Sequence, residues 1–154
     1  MINEKVVKAE SDIIKVLLKH TGELSVQNHI PYDFMEPYLE LLIEDENKSE
    51  LLKVKKATIF FCNDSFYTTA NLLYSSKNVC LACALMALQI MKFEIPSSKN
   101  YDMDSLMKRI TKKCETKVMN SDYWYKMIDL DLDLEAVTEI IKMVNEFYTK
   151  IKIK

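Results

Sequence analysis

The stretch V79-C-L-A-C-A-L-M-A-L-Q-I-M91 decides the fold. It is apolar on every side except at Gln89, and a helix with no polar stripe has to be covered by protein all round. At about 1.5 Å of rise per residue it spans roughly 20 Å, well short of the roughly 30 Å of hydrocarbon in a bilayer, so it reads as a core helix and not a membrane span. Strand is the competing reading of a short apolar run. Ala82, Ala84, Leu85, Met86, Ala87 and Leu88 are strong helix formers with no β-branched residue among them, which favours helix. The small residues Cys80, Ala82, Cys83, Ala84 and Ala87 let neighbouring helices approach closely, as the middle of a bundle requires.

The rest of the 154 residues supplies the cover. A single Gly and three Pro leave little material for hairpin turns, while Leu, Lys, Glu, Met and Ile abound, so an all-α domain of five to seven helices is expected. The formal charge of −2 provides no global positive field for a phosphate backbone, which makes broad nucleic-acid binding unlikely. The N-terminal MINEKVVKAESD carries no apolar run with a small-residue cleavage site, so an intracellular protein is expected. Cys62, Cys80, Cys83 and Cys114 fall in helical, mostly apolar contexts. Cys80 and Cys83 form a C-x-x-C, but no second Cys or His pair stands at a ligand spacing, and buried reduced thiols are the expectation.

Taken outward from the central stretch, the pattern predicts a helix over about 4–19, with Val6, Ile13 and Leu17 beside Val7, Ile14 and Leu18, closed near Gly22. Pro31 then opens a helix carrying Phe34, Tyr38, Leu41 and Leu42, bent but not broken at Pro37. His20 and His29 lack a ligand or catalytic partner at a useful spacing, which leaves them structural or solvent roles. A charged turn at 44–50 precedes one long helical pattern over 51–74, with Ala57, Phe60, Phe61, Asp64, Thr68 and Leu72 on its face. Asn63, Asp64, Ser65 and Thr68 on that stripe suggest a buried or half-buried hydrogen-bond network rather than a catalytic carboxylate, because no nucleophile, base or glycine loop accompanies them. Ser75 and Ser76 supply a turn and a cap for the central helix.

After a loop around Pro96, an amphipathic helix is predicted near 102–119. Its basic face, Lys108, Arg109, Lys112, Lys113 and Lys117, is a solvated face or a contact for phosphate or acidic peptide. Tyr123, Trp124 and Tyr125 form either the lid of the core or a peptide anchor, and Lys108, Arg109, Lys112, Lys113, Tyr123 and Trp124 make up the candidate partner surface. Asp133 is the predicted N-cap of a last helix whose stripe is Leu134, Val137, Ile141, Val144, Tyr148 and Ile151.

In order and spacing, these segments resemble the C-terminal cyclin box of the transcription-type cyclins, the group of cyclins K, L and T. ESDIIKVLLKHTGELSVQNHIPYDFMEPYLELL resembles the join from the last helix of a first box into the second. FFCNDSFYTTANLLYSSKNVCLACALMALQIMKFEIP resembles its second and third helices, and DYWYKMIDLDLDLEAVTEIIKMVNEFY its aromatic segment and closing helix. The resemblance covers about residues 10–148 and rests on the order of its motifs, since none is specific alone.

The resemblance implies a cyclin-box bundle around Val79 to Met91, with 1–22 as the end helix of a first box or a linker and 23–154 as the C-terminal box. Three features depart from the family pattern: the join, where Glu23 replaces an aromatic residue after Gly22 and an isoleucine separates His29 from Pro31; an insertion at about 101–120 that carries the basic helix; and a first box expected to be almost wholly absent, with only its last helix at about 4–19 remaining. The kinase-binding lysine and glutamate of that family lie in the first box. A non-catalytic portion of a regulatory subunit is therefore implied, nuclear, acting in transcription or RNA processing, without cofactor or metal, and partnered with a cyclin-dependent kinase through the other box. Regulator proteins are further possible partners. A scaffold or nucleic-acid module like transcription factor IIB, using the basic face, is the alternative.

Overall fold

The computed structural model describes residues 2–21, 29–43, 48–93, 106 and 124–152. Among them the protein is all-α, with seven helices: α1 (Ile2–Thr21), α2 (Tyr32–Leu42), α3 (Lys48–Ser65), α4 (Ala70–Leu73), α5 (Ser76–Ile90), α6 (Trp124–Ile128) and α7 (Leu134–Lys152).

Helix α5 is the hub, packed by α3, α7 and α2. Every residue from Asn78 to Leu88 is buried, so the absence of a polar stripe has its expected consequence. Burial stops one turn before the apolar sequence does, since Gln89 and Ile90 are exposed. Ser75 caps the start, its hydroxyl accepting the Asn78 N–H at 3.4 Å. The end is closed without glycine. Lys92 takes a left-handed φ of 61°, its N–H donates to Gln89 O at 3.1 Å, and the Phe93 N–H reaches Leu88 O at 2.9 Å. This is a Schellman closure with a lysine where glycine is usual.

Helix α2 runs through Pro37 as one element, with Met35, Tyr38, Leu39, Leu41 and Leu42 buried. Helix α7 begins at the expected cap, the Asp133 carboxylate accepting the Glu135 N–H at 3.0 Å. Its buried line is centred on Val137, Ile140 and Val144, whereas Ile151 at the far end of the predicted stripe is exposed.

The long helix expected over 51–74 is corrected. Helix α3 stops at Ser65, a turn takes residues 66–69, and α4 is a separate single turn. Serine and threonine hydroxyls offer backbone groups partners outside the helical ladder. Here the Thr68 hydroxyl donates to Ser65 O at 2.7 Å and accepts the Ala70 N–H at 3.1 Å, which closes the turn. The buried stripe of α3 is also displaced from the expected one. Val54, Thr58, Phe61, Cys62 and Ser65 face the core, while Phe60 and Leu72 are exposed. A threonine and a serine tolerate that position because Thr58 donates to Val54 O at 2.9 Å and Ser65 to Cys62 O at 2.7 Å.

Candidate interaction surface

Two polar clusters fix how the helices meet. The first lies at the end of α3. Asn63 is exposed, and its Oδ1 accepts the Tyr32 hydroxyl at 2.6 Å, tying α2 to α3. The half-buried Asp64 accepts the Tyr148 hydroxyl, tying α3 to α7. Burial and then the Asp64 carboxylate hold the Tyr148 phenol above its ordinary pKa. Ser65 is buried and also accepts from Asn71 Nδ2 at 2.9 Å. Asn63, Asp64, Ser65 and Thr68 thus make separate side-chain bonds, which tie α3 to α2, α7, α4 and the turn after it.

The second cluster, at the start of α5, has no counterpart in the sequence reading. Lys77 Nζ lies 2.9 Å from Asp129 Oδ2 and 2.6 Å from Asp131 Oδ2, and 5.8 Å from the centre of the Phe34 ring. The Tyr38 hydroxyl donates to Asp129 Oδ2 at 3.2 Å. Hydrogen bonds from Lys77 to Asp131 and Asp129 raise the lysine pKa. Burial works against ionisation of Asp129, but its bonds to Lys77 and to the Asp131 backbone prevail and lower its pKa. Burial, then the Asp129 charge, pushes Tyr38 far up. The three groups therefore form a carboxylate held between an ammonium and a neutral phenol. The signal available in sequence was the D-x-D-x-D run at 129–133, which says nothing of a lysine more than fifty residues earlier.

Cys62, Cys80 and Cys83 are free and buried. Burial raises the Cys80 thiol, and a hydrogen bond with Cys62 together with burial raises Cys83, so both remain protonated near neutrality. Among the described residues no three His, Cys, Asp or Glu side chains gather where they could hold a metal ion, and no helix is long and apolar enough to cross a membrane.

Trp124 is only 4% exposed and packs edge-on to Tyr125, the ring centroids being 6.0 Å apart. Its ring belongs to the core and is not offered at the surface. Lys108, Arg109, Lys112, Lys113, Lys117, Tyr123 and Cys114 lie outside the described residues, as does the basic helix predicted near 102–119 apart from the buried Leu106. Two exposed apolar surfaces stand out among the described residues. Helix α1 exposes Val6, Val7, Ile13, Ile14 and Val16, and the α3–α4 segment exposes Phe60, Phe66, Tyr67, Leu72 and Leu73.

Among the described residues the chain is an all-α bundle wrapped on a buried central helix and tied at its helix ends by polar side chains, and the similarity found in sequence is to a cyclin. Over 143 residues, 93% of its length, the chain is 23% identical to human cyclin-K. It spans about a fifth (21%) of the length of that relative. The similarity to cyclin-K thus extends over nearly the whole chain. No protein-family profile matches it.

Proposed function

We propose that this chain is the C-terminal cyclin-box portion of a cyclin-like regulatory subunit, which partners a cyclin-dependent kinase in transcription or RNA processing and catalyses nothing itself. The observation that carries this reading is the similarity to cyclin-K across 93% of the chain, in a bundle built around one covered helix. Residues 1–22 are read as the end helix of a first box or a linker, and residues 23–154 as the second box. The exposed Val6, Val7, Ile13, Ile14 and Val16 of α1 support that division, because they offer apolar surface on which a preceding box can rest. Kinase contact then falls to that other box, and this half braces it and presents its outer faces to regulators.

The test is affinity purification of the full-length parent protein from its own cells, followed by a kinase assay on the eluate. A co-purifying kinase whose activity is lost on depleting the parent is expected. Recovery of the parent with no kinase activity, or a parent in which no first box exists, overturns the proposal. Salt-sensitive binding of duplex DNA or RNA in place of a kinase would point instead to the scaffold module.

A further inference from the structure

Among the described residues, helix α1 buries no face in the bundle. From Glu4 to Val16 every side chain is exposed except the half-buried Ser11, whereas α2, α3, α5 and α7 each turn a line of residues into the core. Its composition does not make it a strong helix on its own, since Val6, Val7, Ile13, Ile14 and Val16 are β-branched. Helices of proteins owe most of their stability to packing an apolar stripe. Such a stripe is present. Val6, Ala9, Ile13 and Val16 recur at steps of three, four and three, the 3.5-residue period that keeps one seam against a second helix. Val6, Ile13 and Val16 are 58%, 61% and 56% exposed.

We propose that α1 pairs with α1 of a second copy of this chain as a parallel two-stranded coiled coil. Val6 and Ile13 take the first core position of the heptad, and Ala9 and Val16 the second. β-branched residues at the first position, with the unbranched Ala9 between them at the second, suit two strands.

The charges beside the seam choose both the partner and the direction. In a parallel pair, the residue just before each first core position faces the residue five places further along the other helix. Lys5 then faces the partner's Glu10, and by symmetry Glu10 faces the partner's Lys5. Both side chains are exposed, while Asp12 lies 3.7 Å from Lys15 of its own helix. Antiparallel pairing of the same stripe would instead set Glu10 against Glu10 and Asp12 against Asp12. A foreign helix would have to reproduce the order of lysine and glutamate, and a second copy carries it already. Val7 and Ile14 stand about 100° round the helix from this seam and stay open to a preceding box, so pairing and kinase partnership are separately measurable.

The test is sedimentation velocity of the full 154-residue chain at about 1 to 500 μM. A concentration-dependent passage from monomer to dimer is expected. Ile13→Lys should weaken the dimer at least about a hundredfold. Lys5→Glu and Glu10→Lys should each weaken it about fivefold, and the two together should restore it to within about twofold of the parent. All these side chains are exposed, and circular-dichroism melts of the dilute chains check that each variant keeps the bundle. A chain that stays monomeric throughout overturns the proposal, as does a trimer or larger assembly. A dimer indifferent to Ile13→Lys overturns it too, and so does a double charge variant that associates no better than the single ones.

Discussion

The side-chain Oδ1 of Asn78, in the first turn of α5, accepts the backbone N–H of Asp133 at 2.9 Å across 55 residues of sequence. Asp133 is itself the cap of α7, so one carboxamide sets the starts of two helices against each other. Asn78 is buried, and its loss leaves the Asp133 N–H without that acceptor. Asn78→Ala is expected to cost about 1–2 kcal/mol, read as a lower urea midpoint with an unchanged slope. An unchanged midpoint would show that water replaces the bond.

The Lys77, Asp129 and Tyr38 cluster gives stability a defined pH window. Asp129 has a lowered pKa, so its contribution is present above the unfolded carboxylate value, about 3.9, and fades as pH falls through the lowered one. Lys77 and Tyr38 have raised values. Their contributions are complete below the unfolded values, about 10.4 and about 10, and fade as pH rises beyond them. A plateau between roughly pH 5 and 9 is expected, measured by urea unfolding across the range. Lys77→Ala should lower stability on the plateau and flatten the acid limb, because Asp129 loses the partner that lowers its pKa, and identical acid limbs in the two proteins would refute the assigned role.

Lys92 closes α5 at a φ of 61°, where a Cβ meets steric resistance. Lys92→Gly removes that resistance and should raise stability by about 0.5–1 kcal/mol despite the added freedom of the unfolded chain. Thermal melts decide it: a lower Tm for the glycine variant would contradict the closure described.

Ala84 lies fully buried in the middle of α5. Ala84→Asp places an unpaired carboxyl there, expected to cost more than about 3 kcal/mol and to leave little folded protein. A variant with the helical signal and melting point of the parent would contradict the central position of this helix.

Cys62, Cys80 and Cys83 are buried; burial raises the Cys80 thiol, and the hydrogen bond with Cys62 together with burial raises Cys83. Their reaction with a thiol reagent at neutral pH should wait on unfolding, since the thiolate is the reactive form and the reagent has no access. Mass spectrometry after brief native labelling should find these three unmodified and, after labelling in urea, modified. Native modification at Cys62 would show that the core opens far more readily than its packing implies.

The amino-acid sequence by itself determined the covered helix, expected over Val79 to Met91 and buried from Val79 to Leu88, because an apolar residue at every angle of a helix admits no wet face. It determined the caps Ser75 and Asp133 as well, since a cap is a bond between a side chain and the backbone two or three residues away. The α2 helix through Pro37 and the overall all-α character followed from equally local preferences.

Tertiary structure decided the rest. It put Val54, Thr58 and Cys62 beside the expected Phe61 on the inward line of α3 and turned Phe60 out, and it ended that helix at Ser65. It turned Trp124 into the core, brought Lys77 to Asp129 and Asp131, and set Tyr67 against Phe147. Each of these depends on where a distant element lies. A sequence pattern fixes the angle of a side chain about its own helix, and packing alone fixes which angle meets another helix and which meets water.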